Sequence, residues 1–450
     1  MVENAFQDIK IKSPMGDFEL PSTEIYNLVR KCARDIENNT SLKHSQIFDY
    51  FDGVKPETEF HALREHTVAV YLKCMKEVIN KDYNIIKIMD FDSKGEYEIS
   101  PSHHEFEVGV NKKESLLLKG IYFLEDKEDK NKYVVAMMPY HDSEGPSVEL
   151  EVFYLSGMSN FRNFWDRVET YFDEEGPLLK SLFDNKWKFI ECEHKDWNSI
   201  VIKKEMRNLL ERNIVNFISN IEEYSKRRLP TSRGILLTGP PGTGKTLCCE
   251  TLIGMTDCSV IYVTSDNIDS VGQVKKVYEI AQRISPTMII IEDIDTLGGL
   301  DRRERGTHPL LGEFLNCLNG VGGNEGVITI ATTNYPQHLD AALADRPGRF
   351  DLRLEFDLPD KKLRKYILTK YLEEIDKPKN LKLDKIVQAT DGLSGAYLRE
   401  IIVTSYMIAL ERGQKVNQEV LEEALKSVLT LKNTVKKSYG QHIETEEMYG

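Results

Sequence analysis

Gly234-Ile-Leu-Leu-Thr-Gly-Pro-Pro-Gly-Thr-Gly-Lys-Thr246 is the stretch whose reading decides the fold. A short apolar run ends in G-x-x-x-x-G-K-T, from Gly239 to Thr246. An apolar strand that breaks into glycines lets the backbone curl, so that its N–H groups converge on a polyphosphate. Lys245 is then placed to reach the β- and γ-phosphates, and the Thr246 hydroxyl to ligate Mg²⁺. A helix starting near Lys245 adds its positive end to the same cradle. The motif announces nucleotide binding, and the use of the nucleotide has to be read from other residues.

Working outward, 450 residues imply two to four domains with room for real cores. Hydrophobic content of 40% and charged content of 29% are those of a globular, soluble chain. No apolar stretch approaches bilayer-spanning length, and the N-terminus has no signal-peptide core. Seven cysteines, an odd number, do not make a disulfide framework, and a reducing cytoplasm is expected. Cys248 and Cys249 are expected to pack as small apolar groups. Cys192 and His194 have no second ligand pair nearby, which argues against a metal site there. The net charge of −14 argues against broad binding to nucleic-acid backbones.

Residues 1–90 read as mainly helical, with apolar residues at three- and four-residue spacing over 23–38 and 59–80. Residues 91–195 read as a mixed α+β recognition domain: strands over 115–124, 132–140 and 147–155, then an amphipathic helix over 159–172 whose aromatics are core. His103 and His104 are adjacent, point apart on a regular element, and read as solvated surface. The pattern breaks over 193–199, where a linker is expected. A helical segment over 203–226 follows, then strands over 259–264, 287–292, 327–332 and 352–356 alternating with helices, which implies a parallel sheet covered by helices. From 361 onward only helices are expected, with Ser394 as an N-cap and Gly413 as a C-terminal stop. The expected divisions are 1–90, 91–195, a large α/β domain over 196–357, a helical region over 358–435 and a loose tail over 436–450.

Three further signals carry chemistry. Met288-Ile-Ile-Ile-Glu-Asp-Ile-Asp295 is a buried strand with acids at its C-terminal end, where ligands bind in open α/β sheets. One carboxylate can hold Mg²⁺ and a second can polarise an attacking water. Val327-Ile-Thr-Ile-Ala-Thr-Thr-Asn334 puts a polar amide, Asn334, at a strand tip, where it can orient water or simply make a turn. Asp345-Arg-Pro-Gly-Arg-Phe-Asp351 sets Arg346 and Arg349 across a Pro-Gly turn. Guanidinium groups supplied across a subunit boundary accelerate phosphoryl transfer by ~10³–10⁵.

These four signals stand in the order and spacing of the AAA family of ATPases, which residues 197–435 resemble. The resemblance implies an α/β P-loop NTPase domain with a five-stranded parallel sheet and a C-terminal helical lid. ATP and Mg²⁺ are implied as cofactors. Gly239, Pro240, Pro241, Gly242, Thr243, Gly244, Lys245, Thr246 and Leu247 then hold the nucleotide, with Gly395 and Ala396 of Gly392-Leu-Ser-Gly-Ala396 against it from the lid. Asn334 falls on the family's sensor position, and Arg346 and Arg349 on its arginine fingers. The resemblance also implies a homo-oligomeric ring, usually a hexamer, that remodels a protein client.

The chain departs from the family pattern in three places. The usual Asp-Glu order at the strand end is reversed, so by position Glu292 takes the Mg²⁺ role and Asp293 the water-activating role. This order resembles that of the Bcs-type AAA proteins, which translocate a folded Rieske protein. Ser265-Asp-Asn-Ile-Asp-Ser-Val-Gly-Gln273 lacks the aromatic that chain-threading members carry, with Ile268 and Val271 as its apolar residues. The approach to the fingers, from Asp340 to Arg346, is one residue longer than usual. No H-E-x-x-H zinc-peptidase sequence occurs in the 450 residues. The expected function is ATP-driven remodelling, unfolding or translocation of a protein client. The competing reading is a slowly hydrolysing, nucleotide-gated assembly scaffold, and a nucleic-acid motor is disfavoured by the acidic composition.

Overall fold

The computed structural model describes residues 9–13, 16–20, 41–64, 67–142, 145–156, 161–264, 268, 270–296, 309–318, 324–336, 350–375 and 381–447. The chain divides into two compact units, Met1–Pro177 and Leu178–Gly450. The helix expected over 23–38 lies outside the described residues.

In the first unit, β1 (Ile9–Ser13) and β2 (Gly16–Leu20) form an antiparallel pair. Strands β3 (Glu57–Leu63), β4 (Tyr83–Phe91), β5 (Glu98–Ile99), β6 (Ser102–Gly109), β7 (Lys112–Asp126), β8 (Lys132–Asp142) and β9 (Gly145–Tyr154) build one antiparallel sheet in the order β3-β9-β8-β7-β4-β5, with β6 also on β7. Alternation along β8 decides its two faces. Val134 and Ala136 pack with Phe123 and Phe153 under Ile47 and Phe51, which come from α1 (Leu42–Tyr50) and its end. Tyr133 points the other way, where its ring and that of Tyr83 meet Phe164 of α3 (Phe161–Glu175). The helix α2 (Val68–Asp82) stacks Tyr71 on Trp165 and Phe172 of α3, so these aromatics are core as expected.

Two expectations are corrected here. Residues 1–90 are not a helical region of their own, because β3 and β4 belong to the same sheet as β7 to β9. The stretch 57–63 pairs along its whole length with β9, and helical spacing takes over only from Val68. The boundary expected at 195/196 falls instead at 177/178.

The second unit explains the shift. Its sheet runs β10-β12-β13-β14-β11-β15, all parallel: β10 (Leu182–Asp184), β11 (Arg233–Thr238), β12 (Ser259–Val263), β13 (Thr287–Ile291), β14 (Val327–Thr333) and β15 (Leu352–Glu355). Six strands replace the expected five, because Leu182, Phe183 and Asp184 extend the edge beside β12. The expected linker is also packed down. Trp197 is buried in the sheet's core cluster under the Arg207 guanidinium, and Lys195 pairs with Glu250 at 2.6 Å. An indole that finds apolar cover at the chain's re-entry point stays there, since an aromatic side chain buries 150–250 Å².

All residues of β13 and β14 are buried, as strands covered on both faces must be. One face carries α4 (Lys245–Met255), whose Cys248 and Cys249 are fully buried among Leu252, Ile235, Val260, Met288 and Ile328; burial pushes the Cys248 thiol up to about 12. The expected helical segment before β11 is present as Lys204–Leu210, a π-helical turn Glu211–Val215, Asn216–Ser219 and Ile221–Lys226. Next in chain order come α5 (Val271–Arg283) and α6 (Pro309–Leu318), joined where Tyr278 meets Phe314.

The C-terminal helices are α7 (Lys361–Ile375), α8 (Leu383–Ala389), α9 (Gly395–Glu411) and α10 (Gln418–Glu447), which share an apolar core of their own around Leu368, Leu398, Ile401, Val420 and Leu421. Ser394 is the N-cap of α9, and Gly413 past its end has φ +61°, both as expected. Over the stretch expected as a tail, α10 continues through Glu447, in residues that contain no proline to stop it. Among the described residues no helix is long and apolar enough to cross a membrane.

Candidate functional site

The site forms at the C-terminal ends of β11, β13 and β14, which lie side by side in the sheet. The loop from β11 to α4 turns on three glycines with positive φ: Gly239 (+143°), Gly242 (+76°) and Gly244 (+104°). A Cβ on Gly239 would meet the Phe356 carbonyl oxygen at 2.2 Å, so only glycine fits between the loop and the chain leaving β15. Thr243 ties the loop to itself, its hydroxyl donating to the Pro240 carbonyl at 2.8 Å. Pro241 and Gly242 are exposed at the loop's crest, and Leu247 packs toward the core from the first turn of α4.

Lys245 is 6% exposed, and its Nζ donates to Gly239 O (2.7 Å), Pro240 O (3.0 Å) and Asn334 Oδ1 (2.7 Å). Burial holds this ammonium below the ordinary lysine value, against the pull of Asp293, Asp295 and Glu292. Asn334 Nδ2 donates in turn to Asp293 Oδ1 at 2.8 Å. Lysine, amide and carboxylate thus form one hydrogen-bonded chain across three strand ends. The Asp293 carboxyl is pushed above the usual carboxylate range by burial and by its neighbours Asp295 and Glu292, with Lys245 opposing.

Glu292 takes a different environment. Its Oε1 is buried with no hydrogen-bond partner, and its carboxylate helps push the half-buried Tyr262 phenol upward, second to burial itself. A buried carboxylate oxygen with an open lone pair suits a hard cation, and the exposed Thr246 hydroxyl on the first turn of α4 is a second hard oxygen. Among the described residues no three His, Cys, Asp or Glu side chains cluster as metal ligands. Mg²⁺ does not require that many, since it retains waters and takes phosphate oxygens. Glu292 and Thr246 therefore fit the ion.

The C-terminal helices close the loop from the other side. Ala396 N donates to Gly242 O at 3.0 Å, and a Cβ on Gly242 would meet Ala396 Cβ at 2.8 Å and Ser394 Oγ at 2.9 Å. Gly395 approaches the same carbonyl. Gly242 and Ala396, 154 positions apart in the chain, are thus in contact. Arg346 and Arg349 lie outside the described residues, as do Ser265, Asp266, Asn267 and Asp269 of the segment that lacks an aromatic. Ile268 is buried.

Residues 235–358 match the ATPase family associated with various cellular activities (AAA). The chain carries an AAA domain. Over 234 residues, 48% of its length, it is 32% identical to the ATP-dependent zinc metalloprotease FtsH of Caldicellulosiruptor bescii, covering 37% of that protein. Over 213 residues it is 34% identical to the ATP-dependent zinc metalloprotease YME1L1 of Mus musculus, covering 30% of it. The chain spans about a third of the length of these curated relatives.

Three further residues at the strand ends, Thr332, Thr333 and Asp295, were not singled out as site residues from the sequence. Thr332 Oγ1 accepts the Asp293 N–H at 3.0 Å, and Thr333 Oγ1 donates to Asp295 Oδ1 at 2.6 Å. The doubled threonine before Asn334 was the available signal, but a hydroxyl on a β-rich strand carries no mark of its partner.

Proposed function

We propose that this chain is an ATP-hydrolysing AAA protein that assembles as a ring and uses the cycle to remodel, unfold or translocate a protein client. The observation that carries the reading is the Lys245–Asn334–Asp293 chain at the strand ends, with α9 seated on the phosphate loop. In this reading Lys245 meets the β- and γ-phosphates, Asp293 takes a proton from the attacking water, and Asn334 keeps both aligned. Thr246 and Glu292 would hold Mg²⁺, which when bound would supply positive charge to the phosphate oxygens. The helices α7 to α10 serve as the lid, and the first unit as the client-recognition domain. A reducing, cytoplasmic setting belongs to the same reading. Proteolysis is not part of the proposal, since these residues contain no H-E-x-x-H.

Arg346 and Arg349 acting across a subunit boundary make assembly the direct test. Mass measured at increasing protein concentration with a non-hydrolysable ATP analogue is expected to show a closed oligomer, a hexamer for the family's usual ring. Turnover is expected to rise with that assembly. A monomer under all conditions, with turnover independent of concentration, would overturn the ring. The shorter Asp293 in place of glutamate favours a second reading, a slowly hydrolysing scaffold. A nucleotide-dependent ring with negligible turnover, which no protein client stimulates, would select it.

A loop–lid contact as tight as that at Gly242 yields its own prediction. Gly242→Ala combines a strained φ of +76° with contacts of 2.8 and 2.9 Å to Ala396 and Ser394. Strain of roughly 1–3 kcal/mol is expected at such a position. ATP-analogue affinity should fall roughly tenfold or more, and unchanged affinity in an equilibrium titration would refute the seated-lid geometry.

A further inference from the structure

Asp293 is held in the left-handed backbone region, with φ +46°. An L-residue pays for that conformation unless local bonds hold it, and aspartate tolerates it better than glutamate because its side chain is short. The bonds are present on every side. Asp293 O accepts from the Thr296 N–H and the Thr296 hydroxyl, each at 2.7 Å. Its N–H donates to Thr332 Oγ1 at 3.0 Å. The β13–β14 ladder explains why a side chain is needed there. Parallel pairing ends at Ile291 opposite Ala331, and the Glu292 N–H turns to Val263 O on the other neighbour. Past that point the Asp293 N–H has no strand to pair with, and the Thr332 hydroxyl, on a residue that is 2% exposed, takes over. Thr333 then pins Asp295 at 2.6 Å and accepts the Tyr335 N–H at 3.0 Å.

We propose that Thr332 is a positioning residue for hydrolysis: by accepting the Asp293 N–H, its hydroxyl holds the left-handed turn that delivers a short aspartate to the place a longer acid would otherwise reach. Aspartate lacks one methylene, about 1.5 Å of reach, and the turned backbone with its threonine clamp is what compensates. The inference rests on the reading of Asp293 as the group that activates water. It assigns to Thr332 no contact with nucleotide, so its loss should slow chemistry and spare binding.

The test uses the full chain, with steady-state ATP hydrolysis and equilibrium binding of a fluorescent ATP analogue. Thr332→Val keeps the shape and removes the acceptor. Its kcat is expected to fall about tenfold, with KM and analogue affinity within about twofold of wild type, as for a misaligned catalytic group. Thr332→Ser keeps the hydroxyl and is expected to recover most of the rate. In an Asp293→Asn background, Thr332→Val should change kcat no further. Thr332→Ala, which cannot crowd the strand, provides the same comparison if the valine variant melts early. Undiminished kcat in both the valine and alanine variants, or equal losses in the valine and serine variants, would overturn the clamp while leaving the ATPase reading intact. Absence of turnover in wild type is a distinct result that removes both.

Discussion

Lys245→Ala is expected to abolish ATP turnover, with kcat/KM falling by about 10³ or more. Preorganised charge in a dry site is the largest single contribution to many reactions, and loss of one such donor costs about 10²–10³ in kcat alone. Lys245 does more than supply charge. Its Nζ joins the loop carbonyls of Gly239 and Pro240 to Asn334, so alanine leaves three oxygens without their donor. It is also the cation that opposes the upward push on the Asp293 carboxyl. In its proposed role Asp293 acts as a base only when ionised, so activity is expected to fall as pH falls through its raised value. Without Lys245 that value rises further, and any residual rate should fade at a higher pH than in wild type. A coupled ATPase assay across pH checks both points, and a variant retaining a tenth of wild-type turnover would refute the role.

Asp293→Asn is expected to lower kcat by ~10²–10⁴, the range for a general base, while ATP binding is kept. Asparagine matches the shape, tolerates φ +46° and still offers an oxygen to Asn334 Nδ2. Removing a negative charge beside Glu292 and Asp295 also relieves repulsion toward a triphosphate. Binding should therefore hold or tighten, and the variant should retain client proteins that wild type releases. Glu292→Gln separates the two acids, since it should raise the Mg²⁺ concentration needed for half-maximal turnover. If Asp293→Asn hydrolyses ATP normally and Glu292→Gln does not, the two roles are exchanged.

The legible parts of the site are those in which neighbouring residues act together. The cradle from Gly239 to Thr246 occupies eight consecutive positions, so its three positive-φ glycines can be read together from the sequence. Strands β11 to β14 could be placed almost to the residue because buried parallel strands are largely apolar runs, whereas the edge strand β15 alternates as Leu352-Arg-Leu-Glu355. The region 57–63 was harder: Glu-Thr-Glu-Phe-His-Ala-Leu carries only partial alternation, and its pairing with β9, some ninety residues away, is what makes it a strand. Three-residue β10 has too little pattern to detect and exists because the exposed edge of β12 accepts it.

By itself, then, the sequence determined that a nucleotide-type phosphate loop, an acid pair and a polar strand tip lie on one α/β domain, since hydrophobic period and glycine placement are local properties of the chain. Tertiary structure alone decided that Leu182–Asp184 and Trp197 belong to that domain, that Ala396 sits on Gly242, and that Thr332 holds Asp293 in a left-handed turn. These are hydrogen bonds and contacts between residues about forty to a hundred and fifty positions apart. Their partners are chosen by strand order and register, which come into being only when the sheet closes.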